Sequence, residues 1–299
     1  MTAKVLTAKT FDLVALLKPR IMVMALLTAA GAMNLAPGTI HAGRALWLLA
    51  GTAAIVGAAN TLNMWLERDI DCLMSRTKDR PLPMHRLEPT TAVVFGAILG
   101  AVSLPLLAMA GVDRGGPGEP THLHLWPAAL GLVALLLYVG AYTPMKQISH
   151  RSVWVGGVPG AMPALMGWTA ATGHIDLAGL AVFGVLYIWQ IPHTHAISIY
   201  REREYHAAGL KTLSGTFGPA VARRYILAFL VVQVALSVAP ALLGVAGLPY
   251  LVTALALGVM VLVQGFSGDG STKWARNVFL TSIVYLPILF AVMVASGTA

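Results

Sequence analysis

Nine long apolar stretches, with no Asp, Glu, Lys or Arg deep inside any of them, constrain this chain more than any other feature. They run approximately over 20–35, 46–66, 90–111, 125–143, 153–172, 177–197, 225–245, 249–266 and 278–295. A helix needs roughly 17–25 mostly apolar residues to cross the hydrocarbon core of a bilayer. The first stretch is short by this measure, so it tilts or begins earlier, near Leu13. The main polar interruptions are Asn60, Asn63, Gln190, His193, Gln233 and Gln264. Only 11% of the 299 residues are charged and 57% are apolar, whereas a soluble domain carries about 25% charge. With a mean hydropathy of +0.75, the apolar excess must face lipid. A soluble domain, a disordered chain and a disulfide-stapled secreted domain are all excluded. Cys72 is the single cysteine, so there is no internal disulfide and no thiolate metal cluster. Residues 1–20 lack the apolar core of a cleavable signal. The expectation is an all-α polytopic membrane bundle of nine transmembrane helices in one domain, 1–299.

Sorting the basic residues by loop gives the sidedness. With the N-terminus inside and loops alternating, all but Arg44 and Arg114 of the 20 Lys and Arg fall on the inner side. This is the bias of cytoplasmic loops. The net charge of +8 therefore reads as attraction to anionic headgroups rather than to nucleic acid. The outer loop 112–124, with Gly115-Gly116-Pro117-Gly118, is expected to be a Gly/Pro-rich, mobile turn. Its His122 and His124 read as solvated.

Two inner loops, after the second and sixth spans, concentrate the remaining chemistry and are expected to cap the bundle. They lie four spans apart, which suggests two same-orientation halves at about 13–150 and 151–266 plus an extra helix at 277–296. If the second span's helix continues past Leu66, Asn63, Glu67 and Asp71 stand at i, i+4 and i+8 on one face. Three oxygen donors in a row suit a hard divalent ion such as Mg²⁺, which takes a few carboxylates and completes its shell with water and phosphate. Arg76, Lys78 and Arg80 follow, able to meet phosphate oxygens. The other reading is a solvated loop whose acids and bases pair with each other. In the second loop, Glu202 and Glu204 at i, i+2 make a poor metal site alone, though one could complete a site built by the first loop. His193 and His195 likewise do not share a face of a regular helix, unless Pro192 breaks it. His193 reads as either a functional or a hydrogen-bonded helix-end residue; His195 and His206 read as structural.

These residues resemble the UbiA-type intramembrane prenyltransferases, and within them the branch that acts on haem. The likeness covers nearly the whole chain, from Leu17-Lys-Pro-Arg20 through the ninth span. It rests on Asn63-x-x-x-Glu67-Arg-Asp69-Ile-Asp71, Arg76-Thr-Lys-Asp-Arg80-Pro-Leu-Pro and Tyr142-Thr-Pro-Met-Lys146. It continues in Gly156-Gly157-x-x-Gly160-Ala-x-Pro163-x-x-x-Gly167-Trp168, Trp189-Gln-Ile-Pro-His193 and Glu204-Tyr205-x-x-Ala-Gly209. The chain departs from the pattern at Thr194, where Phe is common, at Ser152, where Asn is usual, and at Ser214, which replaces a frequent Pro. Residues 200–205 do not reproduce the wider family's second Asp-x-x-x-Asp motif.

The resemblance implies a nine-helix bundle in a bacterial inner membrane, with the site facing the cytoplasm. It implies Mg²⁺-dependent transfer of farnesyl from farnesyl diphosphate to a vinyl group of haem B. Carried over by motif, Asn63, Glu67, Asp71 and Glu204 would hold Mg²⁺. Arg76, Lys78, Arg80, Lys146, Arg201 and Lys211 would neutralise diphosphate beside Tyr142, and His193 would touch haem. A downstream haem-modifying enzyme or oxidase-assembly factor would be the implied partner. Three other readings stay open: the same fold acting on a quinone precursor or chlorophyllide, a non-catalytic haem-handling protein, and a transporter. Transporters normally place ionisable or broken-helix sites near mid-membrane, whereas these acids sit at the inner edge.

Overall fold

The structure, a computed structural model, describes residues 3–38, 41–114 and 121–298, with the side chains of 3–8, 113–114 and 121 left aside. The chain enters as Ala3–Leu16 (α1) and turns at Lys18 into Pro19–Leu35 (α2). The turn has a local cause. A residue before proline is pushed out of the helical region, and Lys18 adopts φ 50°, ψ 69° while Pro19 opens the new helix. The two helices bend by 48°, so the short first stretch gains length through α1.

Ala42–Asp71 (α3) and Pro89–Ala110 (α4) follow. In the outer loop, Val112–Arg114 (β1) and Thr121–Leu123 (β2) pair antiparallel, Asp113 opposite His122. The Gly/Pro turn at 115–118 lies outside the described residues. Trp126–Leu136 (α5) then passes through a wide π turn, Leu137–Tyr142, into Thr143–Ile148 (α6). After it come Ser152–Thr172 (α7), Leu177–Tyr200 (α8), Glu202–Ala207 (α9), Leu213–Phe217 (α10), Pro219–Ser237 (α11), Ala239–Leu242 (α12), Leu248–Phe266 (α13) and Thr272–Ala295 (α14).

Among the described residues, seven helices are long and apolar enough to cross a membrane, and eight if α1 and α2 form one bent span. The sequence reading counted nine. The difference is α7, whose glycines and prolines dilute its hydropathy and whose side chains are largely buried inside the bundle. It packs against α2, α5 and α8, while α14 returns against α2 and closes the ring. One apolar cluster, including Leu48, Ile55, Leu107 and Met166, fills the α2–α5 side of α7. Another, around Trp168, Ile226, Tyr250 and Leu289, fills the α8–α14 side. A third, Leu16, Met64, Leu82, Leu87 and Ala92, seats the loop after α3 on the bundle end. Outward positions such as Leu27, Val94, Ile98, Val259 and Val263 are exposed and apolar, as a lipid-facing surface requires.

Two close approaches explain part of the glycine motif. A Cβ on Gly167 would lie 2.0 Å from the Ala29 carbonyl oxygen, so α2 and α7 touch backbone to backbone. A Cβ on Gly156 would lie 2.5 Å from the Tyr142 ring, which uses that gap. At the opposite end, Arg44 is buried and its guanidinium donates to the Ala110 and Ala170 carbonyls. It thereby caps the C-terminal ends of α4 and α7, where helix carbonyls lack partners.

Candidate active site

α3 does run past Leu66, ending at Asp71. Its face therefore carries Asn63, Glu67 and Asp71 into the bundle, where they are 1%, 9% and 3% exposed. Each meets a base from a different element. Lys18 Nζ donates to Asn63 Oδ1 at 2.7 Å, from the turn between α1 and α2. Lys146 Nζ on α6 donates to Glu67 Oε1 at 2.7 Å. Arg80 Nη1, in the loop after α3, donates to Asp71 Oδ2 at 2.6 Å. Burying two carboxylates is costly unless they are paired and hydrogen-bonded, and the Lys146 and Arg80 contacts supply that pairing.

The neighbouring backbone is shaped to the same end. In the π turn, Thr143 N–H reaches the Tyr138 carbonyl, and Thr143 Oγ1 donates to it at 2.7 Å. Thr143 Oγ1 in turn accepts from Asn63 Nδ2 at 3.0 Å, which orients the amide so that its oxygen faces Lys18. Wide turns of this kind often mark functional sites. The Lys146 ammonium sits over the Tyr142 ring, 4.5 Å from its centroid, a favourable cation–π geometry.

These groups surround a polar cavity of about 210 Å³ that also touches Arg76, Tyr205 and Lys211. An apolar cavity of about 260 Å³ lies beside it, walled by Met24, Ile55, Leu135, Pro163, Met166 and Trp189 among others. Ile21 and Tyr138 line both. The arrangement is a charged chamber beside a greasy one, with two side chains common to both walls. It can hold an anionic head in the first and an apolar tail in the second.

Not every expected residue joins this chamber. Lys78 is exposed and, with Arg201, is absent from the cavity lining. Glu204 is occupied in tying the two caps together. Its Oε1 accepts from Ser75 Oγ at 2.9 Å and from Arg201 Nη1 at 3.1 Å, while its Oε2 is buried without a partner among the described residues. No group of three or more His, Cys, Asp and Glu is close enough to hold an ion among the described residues, so Glu204 does not stand with Glu67 and Asp71. Pro192 leaves α8 unbroken, and the two histidines point apart, as an i, i+2 spacing dictates. His193 turns into the seam with α14, 2.6 Å from Ser282 Oγ and stacked on Trp189. His195 lines the polar cavity instead.

Lys18 was quoted in the sequence motif but given no role there, and the structure makes it the base on Asn63. The legible signal was the Lys-Pro dipeptide, which fixes a turn at the chamber wall. Two cap groups have shifted protonation. Burial pushes the Tyr205 phenol up, with Tyr142 adding to the effect. Burial and the Arg151 cation hold His150 below the usual imidazole range.

A divalent ion fits this donor set. Asn63, Glu67 and Asp71 offer hard oxygens on one buried face, and Glu67 and Asp71 each commit a single oxygen to a base.

The sequence pattern of the UbiA prenyltransferase family matches residues 24–295. Protoheme IX farnesyltransferase of Anaeromyxobacter dehalogenans (strain 2CP-C) is 43% identical over 287 residues, covering 95% of this chain and 93% of its own length. Its counterpart from Myxococcus xanthus (strain DK1622) is 44% identical over 285 residues, covering 94% and 93%. Among solved structures, a UbiA homolog from Archaeoglobus fulgidus bound to DMAPP and Mg²⁺ has a TM-score of 0.64 at 17% identity, covering 94% of this chain and 99% of that one. A digeranylgeranylglyceryl phosphate synthase structure reaches 0.80 at 14% identity, covering 97% and 98%. The last two show a shared fold. Taken with the buried ladder and its paired bases, the match over most of its length places this chain in the UbiA prenyltransferase family.

Proposed function

We propose that this chain transfers a farnesyl group from farnesyl diphosphate to a vinyl side chain of haem B, giving haem O. The observation that carries the reading is the adjacent pair of cavities, with Glu67, Asp71 and their bases in one and apolar side chains lining the other. Relatives that share 43–44% identity over nearly their full length supply the acceptor.

Lys146, Arg80, Arg76 and Lys211 receive the diphosphate, and Lys18 steadies Asn63. As the allylic C–O bond breaks, its electron pair leaves with diphosphate, and fixed cations stabilise that charge without reorganising. Asn63, Glu67 and Asp71 would hold Mg²⁺, which when bound supplies further positive charge for the leaving group. Tyr138 and Tyr142 shield the developing cation from bulk water and present ring faces to it. The terminal vinyl carbon forms the new C–C bond, and water captures the carbon left electron-poor. Lys78, Arg201 and Glu204 act at the cap rather than on the reacting atoms.

The same reading places the protein in a bacterial inner membrane with nine spans, α7 counted as one, and the chamber on the cytoplasmic side. It also divides the chain into two halves, 13–150 and 151–266, with α14 as the added helix. Purified protein in detergent, given haem B and farnesyl diphosphate with Mg²⁺ or with EDTA, tests it by mass spectrometry of the haem. Mg²⁺-dependent farnesylated haem supports the reading. Binding of both substrates without product would point to a haem-handling role, and transfer to a quinone precursor alone would reassign the acceptor.

A further inference from the structure

The farnesyl transfer proposed above ends in a hydroxyl, so one water must reach a cation that the rest of the site protects from water. We propose that His195 is a catalytic residue for this last step, holding the captured water and taking its proton, and that the water arrives between α6–α7 and the second cap.

Three observations converge on His195. Its side chain lines the polar cavity together with Thr194, Ser198 and Thr212. It is 2% exposed, and its Nε2 has no hydrogen-bond partner among the described residues. A buried polar atom of this kind asks for an explanation. Its ring is also held in place, edge-on to Tyr225 at 5.3 Å between centroids. A base must be oriented before it can be useful.

The path comes from a second cavity. A space of about 580 Å³ lies under the cap, lined by Glu202, His206, Gly209 and Thr216. Three of these, His206, Gly209 and Thr216, are exposed. It shares His150, Leu210, Lys211 and Thr212 with the polar cavity. Water thus meets a wall of small polar groups and the His150 imidazole on the aqueous side, while the apolar tail lies on the other. The groups around His195 are His150 from the α6–α7 turn, Tyr225 from α11, and Lys211 and Thr212 from the cap. The step balances: a water lone pair forms the C–O bond, the O–H bond breaks toward the His195 imidazole, and the proton leaves by the same passage.

If capture fails, the cation loses a proton instead and yields a farnesylated haem lighter by one water. The proposal therefore predicts a changed product ratio. In turnover with haem B, farnesyl diphosphate and Mg²⁺, His195→Phe should raise the dehydrated-to-hydroxylated ratio at least about tenfold. His195→Gln, which keeps an acceptor oxygen, should return much of the hydroxylated product. Product made in ¹⁸O water identifies the hydroxyl source in each. A wild-type ratio in both variants overturns the proposal. Loss of all transfer in both, with protein still monodisperse, overturns it too, because His195 would then act before the C–C bond forms. Wild-type protein that makes no farnesylated haem at all refutes the underlying function instead, a result separate from either.

Discussion

Asp71 gives the sharpest test at the residue scale. Asp71→Asn keeps the side-chain volume but removes the charge that Arg80 meets at 2.6 Å. Turnover should fall on the order of 10²-fold or more while protein yield stays near normal. Near-normal activity would remove the ladder from the mechanism. Lys18→Met should be milder. It takes one charge-assisted bond from Asn63, and kcat/KM should drop about tenfold or more; an unchanged value would make Lys18 a bystander. The ladder could be read from sequence because its spacing is the helical period and needs nothing else. Lys18 stands 45 residues away from Asn63, and no local pattern announces a partner at that distance. The two histidines show the same limit. Their spacing says that they diverge, but only the packing of α14 and α11 decides which ring reaches the cavity.

Elements were legible in proportion to how far they depend on lipid. Hydropathy located the spans, yet it could not separate α7, which faces protein, from helices that face the bilayer. It was also silent on the β1–β2 hairpin, whose strands of three residues each are too short to show a period. The π turn 137–142 was invisible too, because a single wide turn leaves the apolar count of a span unchanged. The overrun of α3 could only be posed as a condition. The α2–α7 contact makes its own prediction. Gly167→Val forces carbons against the Ala29 carbonyl and should cost about 1–3 kcal/mol of stability. The thermal midpoint in detergent should fall by several degrees. An unshifted midpoint would show that the helices can separate freely.

For the whole molecule, sidedness is the testable property. Cys72 is exposed at the end of α3, beside the chamber, and is the single cysteine of the chain. A membrane-impermeant maleimide should label it in inside-out vesicles and leave it unlabelled in intact spheroplasts. The reverse pattern would invert the proposed topology. Charge sorting yields this expectation from sequence alone, since loop charge is a property of composition rather than of contacts. The acceptor was not legible in that way. It depends on the shape shared by two cavities whose walls come from most of the bundle.

One feature of the chamber reaches beyond structure into binding. Its acids and bases are one another's counter-ions, Glu67 with Lys146 and Asp71 with Arg80. A divalent cation added alone must detach the bases from oxygens it wants. Inorganic diphosphate added alone must pull the same bases from their acids. Added together, each liberates what the other needs, so the two ligands should bind with positive heterotropic coupling. Linkage makes that coupling reciprocal: the factor by which Mg²⁺ tightens diphosphate equals the factor by which diphosphate tightens Mg²⁺. Calorimetric titration of inorganic diphosphate with and without Mg²⁺ should show a difference of about tenfold or more in Kd, and the protein would then discriminate against either free ion in a cytoplasm that holds both.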